Sequence, residues 1–445
     1  MWAAATAVCL AATGTVATVP ARADGCTSGS VCVAVAGADT TGPADGRLQG
    51  FLHGITPATS QAVLAPLAAK TWRINSWDTY ARVKPGLGAR VTFVLSDGWR
   101  NAYGPVAPWT VWPLYEDYVR STVRASIDKG TPVDYWDIAN EPNNGWSGTR
   151  DQLHEMFLRA HDAIRSVDPD ARIVATSQST FQAAPSADTI TALHDSDLRS
   201  FLDYAQLHHM RIDAVSWHEI GTRPEDVLAH AATVRSLLHD HPGLVVPNPE
   251  LHVNEFSGPE DYRIPGWTVG WLAKLYEAGI SVANRACWDR APESGSDGGP
   301  YSECIEGLDG LLRADGATPQ PIYWVHRAYA SLTGSMVSVA SSDVDTSALA
   351  AADPATGSLT VILGRHHERA HDGRTASDVQ LDIAYPFTSQ SATLSVDRIP
   401  DLDVPGPLVA VQPVSSGPVA ISGGAVHVTL AGFRDGDAYI VRVVP

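Results

Sequence analysis

Lysine is scarce in this 445-residue chain. Lys70, Lys84, Lys129 and Lys274 are the only four, and none falls at the C-terminal end of a predicted strand, so a Schiff-base lysine in a barrel mouth has no candidate. Basic residues as a whole are few, 31 against 49 acidic. The net charge of −18 repels phosphate backbones and anionic lipid surfaces, which excludes nucleic acid as a partner. No G-x-S-x-G elbow, no H-E-x-x-H and no phosphate-cradling glycine loop occurs, and no H-x-H ends the first strand. Serine-nucleophile, metal-dependent and nucleotide chemistries are disfavoured together, and no cofactor or metal is expected. With mean hydropathy of −0.07, 37 Gly and 30 Pro, the chain is neither a membrane bundle nor a disordered polyelectrolyte.

Cysteines number five, and the N-terminus bears on what they do. Residues 2 to 20 are small and apolar, and Ala21, Arg22 and Ala23 form an A-x-A site. Residues 1–23 are therefore expected to be a secretory signal, cleaved after Ala23 and taking Cys9 with it, which predicts an extracellular protein with no membrane association. Gly14, Pro20 and the near absence of Leu argue against a spanning helix. Cys26, Cys32, Cys287 and Cys304 remain, an even number suited to two disulfides in an oxidising compartment. Three pairings exist, of which Cys26 with Cys32 and Cys287 with Cys304 close the shortest loops. Neither spacing is the C-x-x-C type usual for structural zinc.

Eight short runs rich in β-branched and aromatic residues recur, each followed by a loop and a helical pattern. They are Leu48–His53, Thr71–Asn75, Arg90–Ser96, Val133–Ala139, Ala171–Ser177, Asp213–His218, Leu251–Phe256 and Ser281–Trp288. Between them, Leu114–Lys129 and Asp151–Val167 carry apolar residues at helical spacing. Eight β/α units predict an α/β architecture, a (β/α)8 TIM barrel over residues 47–333, with an open doubly wound sheet as the alternative. Near Gly334 helical periodicity stops, and alternating strands at Ser358–Leu363, Asp378–Ala384, Ser391–Asp397, Ala425–Leu430 and Ala438–Val443 predict a C-terminal antiparallel β-sandwich over 334–445. In the segment 24–46, Val31–Val35 could add an edge strand to that sandwich.

Barrel enzymes build their sites at the C-terminal ends of the strands. The fourth predicted strand ends in Asn140-Glu141-Pro142, and the seventh in Asn254-Glu255-Phe256. Two glutamates facing each other there would suit glycoside cleavage by double displacement, at a carboxyl separation of about 5–5.5 Å. Burial and the neighbouring negative charge are expected to keep one of them protonated near neutral pH.

The run VDYWDIANEPNNGW, from Val133 to Trp146, resembles the Asn-Glu-Pro motif of the clan of retaining (β/α)8 glycoside hydrolases, and most resembles glycoside hydrolase family 39, the family of β-xylosidases and α-L-iduronidases. The resemblance implies Glu141 as acid/base, Glu255 as nucleophile, Asn140 on the sugar 2-hydroxyl, and a carbohydrate substrate containing xylose or arabinose. One departure stands out. The clan often places a His and then an aromatic hydroxyl at the end of strand six; here His218 matches, but Glu219-Ile220 follows. Glu255 therefore lacks that hydroxyl partner, Glu219 has no assigned role, and a non-catalytic carbohydrate-binding barrel is the alternative.

Further candidates for substrate contact are His53 at the end of strand one, Trp288 closing strand eight, and Trp99 or Trp146 in aromatic-rich loops. Arg73 alternates with Trp72 and Ile74, and so points opposite to them, inward, where it could brace Glu255. Each has a bland reading as core packing or a structural ion pair.

Overall fold

A computed structural model describes residues 29–445 except 58, 131, 182–196, 259, 287–306, 309, 314, 370–372 and 403–405. Cys26, Cys287, Cys304, Trp288 and the expected signal lie outside the described residues. Cys32 is disulfide-bonded, and its partner lies outside them as well.

Eight parallel strands form the first sheet in chain order: β2 (Gly50–Leu52), β3 (Thr71–Ile74), β4 (Arg90–Val94), β5 (Tyr135–Asp137), β6 (Ile173–Gln178), β7 (Ala214–Glu219), β8 (Glu250–Phe256) and β9 (Val282–Arg285). The ends of the sheet meet. Asn284 Nδ2 donates to the Phe51 carbonyl at 3.0 Å, and a side chain at Gly50 would strike the Ala283 carbonyl, so only glycine lets β2 and β9 approach. This is the (β/α)8 barrel and not an open doubly wound sheet. Amphipathic helices cover it, among them Trp112–Asp128 and Arg150–Val167, the latter opened by a capping box between Thr149 and Gln152.

Strand periodicity sorts the barrel side chains. Trp72, Trp136, Trp217 and Val253 face the helices and are buried in the main apolar core. On the other face, Tyr135, Val174 and Ala214 form a separate apolar floor inside the barrel. Above that floor the interior turns polar, with Arg73, Asp137, Ser216, His218 and Asn254 all essentially inaccessible.

A second sheet has nine strands in the order β15-β14-β17-β12-β11-β10-β1-β13-β16. These are β1 (Val31–Pro43), β10 (Ser335–Ser341), β11 (Thr346–Asp353), β12 (Ser358–Arg365), β13 (Ala376–Ala384), β14 (Ser391–Ile399), β15 (Gln412–Ala420), β16 (Ala425–Arg434) and β17 (Ala438–Val444). Two expectations are corrected. The N-terminal strand is not an edge: β1 lies between β10 and β13, antiparallel to one and parallel to the other, so the sandwich-like domain is only mostly antiparallel. Alternation makes the sheet two-sided. Leu359, Val361 and Leu363 point into the sandwich core, whereas Ile362, with Leu349 and Ile440, joins the barrel core.

The helix Pro265–Glu277 packs against β11, β12 and β17 of the second sheet, and the helix Pro321–Ala330 against β12 and β14. A Cβ on Gly266 would meet the Arg365 carbonyl at 1.9 Å, and one on Gly364 would meet the Gly266 carbonyl at 2.6 Å. Gly266 N–H donates to the Gly436 carbonyl at 2.7 Å. Among the described residues no helix is long and apolar enough to cross a membrane.

Candidate active site

Register decides which glutamates meet. Along β8, Glu250, His252 and Asn254 alternate inward, so Glu255 would by simple alternation point out to the helices with Leu251 and Val253. A β-bulge prevents this: Trp217 of β7 pairs with Val253, but the next residue, His218, pairs with Glu255. Asn254 is the extra residue, and the bulge turns Glu255 to the inner side beside His218. A similar shift in β6, between Thr176 and Gln178, brings Ser177 inward with φ of 51°. Glu141 follows the end of β5 in a left-handed conformation (φ 47°) and precedes the short helix Pro142–Gly145.

Arg73, fully buried on β3, is the hub. Its Nε donates to Asp137 Oδ2 at 2.9 Å, Nη1 to Glu255 Oε1 at 2.8 Å and Nη2 to Asn140 Oδ1 at 2.8 Å. Burial opposes its charge, but Asp137, Glu255 and Asp97 outweigh that effect and hold it firmly cationic. Asp137 is in turn fixed by Ser177 Oγ at 2.9 Å and Asn254 Nδ2 at 3.1 Å. The buried cation is thus both paired and hydrogen-bonded, the condition for a charge to persist inside a protein.

His218 lies between the two glutamates. Its Nδ1 is 3.1 Å from Glu141 Oε1 and its Nε2 is 3.8 Å from Glu255 Oε1. One oxygen from each carboxylate and one ring nitrogen all lie within 4.8 Å of one another. The two carboxylates thus come close to each other on the inner side of the barrel mouth. Glu141 is a quarter exposed and Glu255 about half that, so both reach the barrel mouth.

The expected protonation of Glu141 is corrected. The hydrogen bond from His218 draws its pKa below the ordinary carboxylate value, with burial opposing and Asn144 and Arg73 assisting. The charged form is favoured because the near neighbours, His218, Asn144 and Arg73, are donors or cations.

Glu219 and the missing hydroxyl are also accounted for. Glu219 is fully buried and accepts from Trp217 Nε1 at 2.6 Å and Thr222 Oγ1 at 2.9 Å, with His230 Nδ1 at 2.8 Å. It anchors the loop after β7 and does not face the site. Arg73 orients Glu255 where an aromatic hydroxyl does not.

The other sequence candidates are dispersed. His53 ends β2 at φ of 45°, and its carbonyl accepts from the Trp72 indole at 2.8 Å. Trp99 is buried, with its indole N–H on the Val106 carbonyl at 2.7 Å. Trp146 is half-buried, donates to the Thr149 carbonyl at 2.9 Å and has its ring 4.3 Å from that of Trp109. Both tryptophans line a cavity of about 490 Å³ that reaches Asn140. Sequence reading missed Asp137, Ser177, Asn254 and Ser96, whose Oγ accepts from Asn140 N–H at 2.8 Å. An aspartate inside the apolar run YWDIA was the available signal for Asp137.

Among the described residues two clusters have metal-ligand character. In the first, Glu141, His218 and Glu255, the Arg73 guanidinium beside Glu255 opposes a cation. The second, Glu225, Asp345 and His366, lies at the junction of the two domains, where Arg223 already pairs with Asp345. Burial raises the pKa of Glu225 and lowers that of His366 to about 3, so the imidazole there is neutral at pH 7.

No protein-family model and no curated protein matches this chain. Solved structures do. A protein from Neocallimastix frontalis aligns over 93% of this chain and 99% of its own, with TM-score 0.76 and 20% identity. The GH39 enzyme from Xanthomonas axonopodis pv. citri aligns over 96% and 99%, with TM-score 0.64 and 14% identity. A monomeric β-xylosidase from Caulobacter crescentus aligns over 93% and 99%, with TM-score 0.63 and 13% identity. The fold, barrel and sandwich together, is the one these proteins share.

Proposed function

We propose that this protein is a retaining glycoside hydrolase, similar to family 39, that acts on plant-type oligo- or polysaccharides containing xylose or arabinose. The observation that carries the reading is the pair Glu141 and Glu255, bridged by His218 and with Glu255 held by Arg73, at the C-terminal mouth of the barrel. The pentose assignment rests on the fold shared with a β-xylosidase and on the Asn-Glu-Pro motif. Export is part of the proposal and rests on the composition of residues 2–23.

In the first step a Glu255 oxygen attacks the anomeric carbon while the Glu141 carboxyl gives its proton to the departing oxygen, leaving a glycosyl ester on Glu255 and Glu141 ionised. In the second, Glu141 takes a proton from water, the hydroxide carbon–oxygen bond forms and the ester breaks. Asn140, whose Oδ1 is occupied by Arg73, presents its amide N–H groups to the sugar 2-hydroxyl.

The test is hydrolysis of aryl glycosides of the common pentoses and hexoses by wild type, Glu141→Gln and Glu255→Gln. Wild type should turn over pentosides, with losses of roughly 10²–10⁴-fold for Glu141→Gln and at least as much for Glu255→Gln. A 2-deoxy-2-fluoro pentoside should leave its mass on the peptide containing Glu255. Undiminished hydrolysis by both variants sinks the assignment; saturable sugar binding by wild type without turnover of any glycoside would identify a binding barrel instead.

A further inference from the structure

Beside the catalytic pair, on the Asn140–Pro142 side, opens the cavity of about 490 Å³ between the loops that follow β4 and β5. Trp99, Trp109, Tyr115, Trp146, Val106 and Met156 contribute to its wall. The polar atoms nearest the catalytic pair are already committed: Ser96 Oγ to Asn140 N–H, Asn140 Oδ1 to Arg73, and the Trp99 and Trp146 indole N–H groups to the carbonyls of Val106 and Thr149. Apart from Arg100 and Ser147, both exposed, and the Asn140 amide N–H groups on the side of the glutamates, the side chains of the wall offer mainly aromatic area. A sugar ring brings several hydroxyls, each of which needs a partner when desolvated. A flat aromatic ring needs almost none and gains from edge and face contacts with other rings.

We propose that this cavity is a leaving-group site for an aromatic aglycone, a phenolic or phenylpropanoid ring joined glycosidically to the sugar and seated against Trp109 and Trp146. The placement follows from Glu141, which protonates the departing oxygen and lies between Asn140 and Pro142, two residues of the cavity wall. The inference rests on the hydrolase reading for its orientation, while the cavity itself is tested separately.

The experiment compares kcat/KM for benzyl and methyl glycosides of the same sugar, since both leaving groups need acid assistance. Wild type should prefer the benzyl glycoside about tenfold. Trp109→Ala should bring the ratio close to one, and Trp109→Phe should restore most of it. A ratio near one in wild type, a ratio that survives Trp109→Ala, or a disaccharide preferred over the benzyl glycoside through Trp109 would overturn the proposal while leaving the hydrolase intact. If wild type cleaves no glycoside, the hydrolase reading fails, and calorimetry with 4-hydroxybenzyl alcohol decides the cavity. Saturable binding lost in Trp109→Ala supports it; no binding refutes it.

Discussion

Arg73 holds three acceptors at once, and its geometry specifies the residue type. A planar fork can direct parallel donors to Glu255 and Asn140 while its Nε reaches Asp137; an ammonium cannot. Arg73→Lys should keep the charge yet lower kcat by about 100-fold through misplacement of Glu255, with a smaller change in KM, read from steady-state kinetics on a pentoside. His218 sets a different quantity. Its hydrogen bond lowers the Glu141 pKa, so the protonated acid is lost as pH rises through a value below that of an ordinary carboxyl. The basic limb of the kcat/KM profile should accordingly lie on the acid side. Removing the donor in His218→Ala should move that limb to higher pH even as the rate falls. A basic limb that stays in place would show that His218 does not hold the proton balance of Glu141.

At the level of elements, the β8 bulge is the device that lets Asn254 and Glu255 both face the interior. Deleting Asn254 removes the bulge but leaves Glu255 directly after outward-facing Val253, still inward and opposite His218, so activity should fall about as far as in Asn254→Ala and well short of Glu255→Gln, read from kcat/KM on a pentoside. Asn254→Ala keeps the extra residue and loses only its bonds to Asp137 and Ser177, so part of the activity should remain. The same bulge marks where the sequence stopped being informative. The eight barrel strands could be read from their β-branched runs because parallel strands buried on both faces have few polar residues to blur them. Glu141 and Glu255 stood out as carboxylates directly after such runs. Neither the extra residue in β8 nor the left-handed turn at Glu141 has a local sequence signature; both arise from pairing with neighbouring strands. In the sandwich, β15 escaped notice because Gln412–Ala420 is largely exposed and lacks alternation, and β11 because its run of alanines at 350–352 reads as weakly helical.

For the molecule as a whole, the barrel and the second sheet share a core across the helix Pro265–Glu277. Gly266 and Gly364 approach so closely there that any side chain displaces backbone. Gly266→Ala should cost roughly 1–3 kcal/mol by overpacking. Because the junction belongs to both domains, calorimetry should show one transition whose midpoint drops; two transitions with only one displaced would mean the domains unfold independently.

The interior position of β1 carries a consequence in time. Cys32 N–H donates to Ser342 Oγ, 310 residues further along, and Val33 pairs with Leu381 beyond that. β1 thus leaves the ribosome long before either of the strands it pairs with. It must stay unpaired while the whole barrel and the other half of the sheet are synthesised, an exposed alternating Val run in search of an edge. Once seated, it closes the chain into a loop, clasping together two stretches of polypeptide with the whole barrel between them in the chain.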